Sequence, residues 1–300
     1  MARLLLITNP AAARTSPATV REVEAVMRRL GWQVEAVATA GPGDARALAA
    51  AGVADRMDVV AVFGGDGTTM QAASALVGTE VPLGLIPGGT GNILAGNLRL
   101  PARPLQAAEA IARGRPRPLD LGRVERLDGV HYFAVAAGAG LDARIMMETG
   151  AAQKRRWGIG AYFSTLFRVL PGVRSVPVVL TIDGEEIRTD AAMVMISNCG
   201  EVIPPHLRFR SDTSPFDGLL DVTVARTDSL WDSLRVVREA LRPLAEQHAD
   251  PARLSFARGT EITVVPAETL PVQLDGDGAG ETPLTARVVP GAIRVMLADR

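Results

Sequence analysis

Gly64-Gly65-Asp66-Gly67-Thr68-Thr69 follows the apolar, β-branched run DVVAVF directly and leads straight into a helical stretch. Its glycines allow a sharp turn and close approach to a phosphate, while the amides of the loop and of the helix start point at the anion. Thr68 and Thr69 add hydroxyl donors. Asp66 is the odd member. A carboxylate disfavours a phosphate neighbour unless a cation lies between them, so the loop predicts Mg²⁺ held against a triphosphate. The competing reading is a plain strand-to-helix turn with Asp66 as an Asx cap.

One step later, Pro87-Gly88-Gly89-Thr90-Gly91-Asn92 repeats the order of strand end, glycines, Thr and helix start. Taken alone, Asn92 could simply cap a helix. Asn9-Pro10 after the first apolar run, and Thr39 with Gly41 and Gly43 after the second, put small and polar residues at the same edge. Four loops at successive strand ends then face one site.

The elements that must position these loops alternate. RLLLIT reads as a buried strand, and PATVREVEAVMRRLG as a helix with Val20, Val23, Met27 and Leu30 on one face. WQVEAVAT, GDARALAAAGVA, DVVAVF, a helix over Met70 to Val77, PLGLIP, and helices over Asn92 to Asn97 and Leu105 to Ala112 continue the pattern. Such alternation predicts a doubly wound α/β domain, its parallel sheet covered by helices on both sides. GRPRP at Arg113 to Pro118 marks a boundary: an α/β domain over 1–117 and a β-rich domain over 118–289, with the last strand over 290–300 free to return to the first.

Beyond the boundary PLDLGRVER, HYFAVAAG, VPVVLTID, EEIRTDAAMVMISN, GLLDVTVA, LSFAR, EITVVP, LPVQLDGD, LTARVVP and AIRVML read as strands, pointing to an antiparallel sandwich-like domain. Helices are expected over Leu141 to Glu148, Trp157 to Val169 and Leu230 to Leu241.

Bulk properties exclude much. With 300 residues, 47% hydrophobic and 22% charged, the chain suits a folded protein of two domains. A net charge of -1 supplies no general attraction to nucleic acid, which is not expected as a partner. Cys199 is the only cysteine, so no intrachain disulfide or cysteine-rich metal site can form, and a reducing, cytoplasmic setting fits. The opening apolar run, Leu4 to Ile7, is shorter than the roughly 7 residues of a signal segment, and nothing reaches the about 18 of a membrane span. Lys154 is the only lysine and no phosphate-loop spacing precedes it, which removes the P-loop, the protein-kinase lysine and the SxxK pair. His131, His206 and His248 are too scattered to form a zinc site.

Asn9-Pro10, GGDGT, PGGTGN and a late Asp-Gly-acid turn, in this order and spanning nearly the whole chain, resemble the bacterial lipid kinases of the diacylglycerol kinase catalytic-domain family. Gly138-Ala139-Gly140-Leu141-Asp142-Ala143 fits that family's GxGxDA stretch, and Ser214-Pro215-Phe216-Asp217-Gly218-Leu219 its Asp-Gly strand start. NAD kinases share the GGDGT loop. The resemblance implies ATP and Mg²⁺, with nucleotide contacts at Asn9, Pro10, Thr39, Gly64, Gly65, Asp66, Gly67, Thr68, Thr69, Met70 and Thr90, beside Gly89 and Asn92 of the second loop. It implies a structural Mg²⁺ near Ser214, Asp217 and Leu219, where the residues alone read as an Asp-Gly turn.

In the late turn, Leu274-Asp275-Gly276-Asp277, the family has Asp-Gly-Glu, and the third acid is its proton acceptor, which falls on Asp277. Asp is one methylene shorter than Glu, so Asp275 or Glu281 could share the role. Read alone, the segment is a hairpin turn. The resemblance also implies a lipid substrate, and Lys154-Arg155-Arg156-Trp157 with the following GIGAYFSTLF is the candidate for peripheral contact with the inner face of a membrane. Oligomeric state stays open, a homodimer included. Two alternatives stand beside a lipid kinase: an enzyme phosphorylating a soluble hydroxyl such as that of NAD, and a nucleotide-binding sensor. A dinucleotide fingerprint at Gly138 to Ala143 lacks its acid about 20 residues on.

Overall fold

In the computed structural model the described residues are 1–149, 172–203, 207–208, 212–227 and 253–298, with 165, 168, 169, 229, 231, 232 and 235. The basic-aromatic stretch from Lys154, most of both helices expected over 157–169 and 230–241, and His206 and His248 lie outside them. Two units emerge: Met1–Asp120 with Pro290–Arg300, and Leu121–Val289.

The first unit runs β1 (Arg3–Thr8), α1 (Pro17–Arg29), β2 (Gln33–Ala38), α2 (Asp44–Ala54), β3 (Val59–Gly64), α3 (Asp66–Leu76), β4 (Leu83–Pro87), α4 (Ile93–Asn97) and α5 (Pro104–Arg113). The strands are parallel in the order β2-β1-β3-β4. Side chains alternate across this sheet. Leu4, Leu6, Ala61 and Phe63 pack with Val23 and Met27 of α1 and Ile111 of α5. Leu5 and Val60 turn the other way, against Gly52 of α2, where a Cβ would come within 2.8 Å of Leu5. The doubly wound expectation holds, and α1 starts at Ser16, whose Oγ accepts from Thr19 N at 3.1 Å.

In the second unit β5 (Arg115–Arg126, beginning in the first unit), β6 (Gly129–Phe133), β7 (Ala136–Gly140), α6 (Leu141–Glu148), β8 (Val176–Ile182), β9 (Glu185–Ala191) and β10 (Met193–Ser197) come first. After them run β11 (Glu201–Ile203), β12 (Leu207–Arg208), β13 (Leu220–Ala225), β14 (Leu254–Gly259), β15 (Glu261–Pro266), β16 (Pro271–Leu274), β17 (Asp277–Glu281) and β18 (Leu284–Leu297). One antiparallel sheet has the order β14-β13-β10-β7-β16-β17. The first half of β18 pairs β15, which pairs β8, which pairs β9. Val178, Leu180, Val194, Ile196, Val222, Val224, Ile262 and Val264 alternate along their strands into one core, as two facing sheets require.

Four expected strands are drawn differently. HYFAVAAG is two strands, β6 and β7. EEIRTDAAMVMISN is β9 and β10, which belong to different sheets. LTARVVP and AIRVML are one strand, β18, because Pro290 has no N–H to lose and Gly291 N donates to Asp120 Oδ1 at 2.7 Å.

Phe133, fully buried, lies over Gly122 of the paired strand, where a Cβ would stand 2.0 Å from its ring. Gly122→Ala is expected to displace that ring and cost about 3 kcal/mol, seen as a lower midpoint of thermal unfolding.

Candidate active site

The order β2-β1-β3-β4 reverses between β1 and β3, so the crevice beyond their carboxyl ends is where a parallel sheet of this kind binds ligands. Four loops meet there and are bonded to one another. Asn9 Nδ2 donates to Thr68 Oγ1 at 2.8 Å, tying the β1 loop to α3. Gly43 N donates to Gln71 Oε1 at 3.1 Å, tying in the β2 loop that carries Thr39. Arg14 N donates to Gly88 O at 2.9 Å, and Gly88 N to Gly64 O at 2.8 Å.

Asp66 joins the two glycine loops. Its Oδ1 accepts from Ile93 N at 2.7 Å and Leu94 N at 3.4 Å, so it caps α4 from another helix. Asn92, at the N-cap position itself, does not cap: its amide exchanges hydrogen bonds with Gly89 N and O, at 2.9 and 2.7 Å. Burial raises the Asp66 pKa, against the pull of the Ile93 and Leu94 amides. Its Oδ2 faces Gly91, where a Cβ would come within 2.8 Å. A half-buried, hard anionic oxygen left over from capping suits a divalent cation that completes its shell with phosphate oxygens and water.

The glycines divide by role. A Cβ at Gly89 would stand 2.7 Å from Gly65 Cα, and one at Gly88 3.1 Å from Gly64 backbone, so these let the loops touch. Gly65 meets nothing nearer than 3.5 Å. It precedes α3 as an N-cap without a side-chain cap bond, leaving the first-turn amides of Asp66, Gly67 and Thr68 to a ligand. Thr68 Oγ1 accepts from Asn9 and so keeps its proton to donate; Thr69 is buried, Met70 half-buried, and Pro10 and Thr90 exposed.

In the second unit the late turn separates its two acids. Asp275, at φ 48°, accepts from the amides of Ala134, Val135 and Ala136 at 2.8, 2.8 and 3.1 Å. That carboxylate anchors the turn. Asp277 opens β17, exposed, with no side-chain partner among the described residues. Glu281 closes the strand, its carbonyl accepting from Arg126 Nη1 at 2.6 Å. Beside the turn, Cβ atoms at Gly276 and Gly278 would lie 3.7 Å from Met146 Sδ and 3.6 Å from Met147 Cγ, and Met147 is 59% exposed.

Asp217 Oδ1 accepts from Leu219 N at 3.1 Å, an Asx turn ahead of β13, with Ser214 half-buried nearby. No group of three His, Cys, Asp or Glu side chains gathers among the described residues, so a cation here would rest largely on main-chain carbonyls. Cys199 is buried, its Sγ donating to Ala134 O, and burial pushes its thiol pKa up. His131 pairs with Asp128 at the surface. β7 before the GxGxx[GA] stretch has only antiparallel neighbours, which is not a dinucleotide-binding βαβ unit.

Sequence reasoning passed over Gln273 and the inward turn of Asp142. Asp142 Oδ2 accepts from Gln273 Nε2 at 3.1 Å, inside the space left by Gly138, where a Cβ would fall 1.5 Å from Oδ2. The only signal was the Gly-x-Gly-x-Asp spacing. Burial raises the Asp142 carboxyl from 3.8 to about 6, against the Gln273 hydrogen bond. The folded chain therefore takes up this proton before the unfolded chain does, so its contribution to stability is full below pH 3.8 and is lost as pH rises to about 6. The loss is of order 3 kcal/mol. Asp142→Asn is expected to remove that slope in denaturant unfolding measured across this range.

Two known families divide the chain close to Asp120, the second match running on through β18. Residues 3–124 match the diacylglycerol kinase catalytic domain, and residues 135–297 match the YegS C-terminal NAD kinase beta sandwich-like domain. A diacylglycerol kinase of Mycobacterium tuberculosis is 32% identical over 307 residues, covering 98% of this chain and 94% of that protein. One from Bacillus subtilis is 26% identical over 287 residues, covering 94% and 92%. A crystal structure from Bacillus anthracis strain Sterne, assigned as a diacylglycerol kinase, shares the fold with TM-score 0.82 at 24% identity, covering 98% and 96%. Both units, and the order of their glycine loops and late acidic turn, thus meet in one conclusion: the chain belongs to the diacylglycerol kinase catalytic-domain family and is a kinase.

Proposed function

We propose that this kinase transfers the γ-phosphoryl group of MgATP to a hydroxyl of a membrane-borne lipid such as diacylglycerol, with Asp277 taking the hydroxyl proton. The observation that carries this reading is an exposed carboxylate, without a side-chain partner among the described residues, beside exposed methionine. Asp275 already serves three amides and is the poorer base. Flexible methionine suits an apolar chain of variable shape.

The α3 amides and the Thr68 hydroxyl hold the triphosphate, with Asn9, Pro10, Thr39, Met70 and Thr90 around the nucleotide. Asp66 Oδ2 would hold Mg²⁺, which neutralises phosphate charge. Ser214, Asp217 and Leu219 would hold a second, structural ion. As the acceptor oxygen bonds to phosphorus its proton passes to Asp277, and the bond to ADP breaks. The enzyme works peripherally at the bilayer; no helix among the described residues is long and apolar enough to cross one.

The test is transfer of labelled γ-phosphate to a panel of lipid alcohols in mixed micelles, with NAD in parallel. A lipid is expected to be labelled. Asp66→Asn keeps an oxygen for the Ile93 amide but loses the charge, so turnover is expected to fall about 10²-fold; unchanged turnover would reduce Asp66 to a cap. Labelling of NAD alone, or of nothing despite ATP binding, would point to a soluble acceptor or to a sensor.

A further inference from the structure

Gln273 sits in β16, 2% exposed, one residue before the late turn. Its Nε2 donates to Asp142 Oδ2 at 3.1 Å and its Oε1 accepts from Gly276 N at 2.7 Å. An ionised carboxylate only accepts and an amide N–H only donates, so these two neighbours fix one orientation of the Gln273 side chain. Gly276 separates Asp275 from Asp277 and has φ 89°. With Asp275 bound to the amides of 134–136 and Gly276 bound to Gln273, the turn is held at two successive residues just ahead of Asp277.

This arrangement is expensive. Asp142 Oδ1 is buried without a well-formed hydrogen bond among the described residues, and Gly138 gives up a side chain to make room. A leucine at 142 and an apolar residue at 273 would pack the same space without a buried charge. The polar pair is explained by what it does to the turn.

We propose that Gln273 is a positioning residue for the Asp277 carboxylate, and that Asp142 sets which end of the Gln273 amide faces the turn; this rests on the reading of Asp277 as proton acceptor. Neither residue touches substrate.

Gln273→Glu keeps an acceptor for the Gly276 amide but sets a second carboxylate against Asp142. It is expected to lower kcat per folded molecule about 10²-fold with KM for MgATP unchanged, since a displacement of about 1 Å has that effect on proton transfer. Adding Asp142→Asn supplies an amide that donates to the new carboxylate, and the double variant is expected to recover to within about fivefold of the parent. Gln273→Met, which carries no charge, is expected to lose kcat like the single variant. Circular dichroism gives the folded fraction in each case. Parental kcat in folded Gln273→Met, or no recovery in a folded double variant, would overturn the proposal. Asp277→Asn in parallel separates the two ideas: if it loses turnover while Gln273→Met does not, only the positioning role fails, and if it keeps turnover the proton-acceptor reading fails first.

Discussion

Asp277→Asn is expected to lower kcat for lipid phosphorylation about 10³-fold, within the range for loss of a general base, with KM for MgATP nearly unchanged. Asparagine has the same size and can still accept a hydrogen bond, but it cannot take a proton. Asp277 has no partner among the described residues, so the variant leaves no buried group unpaired and its unfolding midpoint should stay with the parent. Asp275→Asn would behave in the opposite way. It puts an NH₂ group where three main-chain amides now donate, and the turn itself should loosen. Steady-state kinetics beside thermal unfolding separates the two. Full turnover in Asp277→Asn would remove it from the chemistry.

The second large effect is expected at Gly89→Ala. The new Cβ would stand 2.7 Å from Gly65 Cα, a backbone atom that cannot rotate away, and 3.3 Å from Asn92 Oδ1. The two glycine loops must then part by several tenths of an ångström, which shifts the α3 amides and the Asp66 carboxylate together. kcat/KM for MgATP is expected to fall about 10²-fold. Gly65→Ala is the instructive control: its Cβ meets only ordinary contact at 3.5 Å, so the fold should tolerate it and any loss reports the approach of the nucleotide. Isothermal titration with MgATP reads both.

The first unit was legible because β1, β3 and β4 are apolar on both faces and its turns carry Gly, Asn or Pro at the strand ends. DVVAVF and PLGLIP could hardly lie anywhere but inside a parallel sheet. The second unit was legible only in kind. Ala191-Ala192-Met193 holds no turn residue, yet the chain leaves one sheet there and enters another, so the break between β9 and β10 has no local mark. Asp66 stood out in the sequence as the odd member of its loop, but its hydrogen bonds to Ile93 and Leu94 join residues on different helices and no spacing announces them. Gln273 reads as one polar residue in an apolar strand. Its role depends on Asp142, 131 positions away.

β5 and β18 each begin in one unit and end in the other. The second half of β18 lies beside β4, pairing Val295 with Leu83. The unit that carries the glycine loops is therefore written in two pieces, with the whole of the other unit between them. On the ribosome its sheet stands one strand short, β4 an open edge, until the whole of the second unit and the end of β18 have been made. A fragment ending at Asp120 would keep every glycine loop and still lack that strand, so simple truncation there is expected to leave the sheet of this unit with β4 exposed. Joining 290–298 to it through a short linker is the minimal repair.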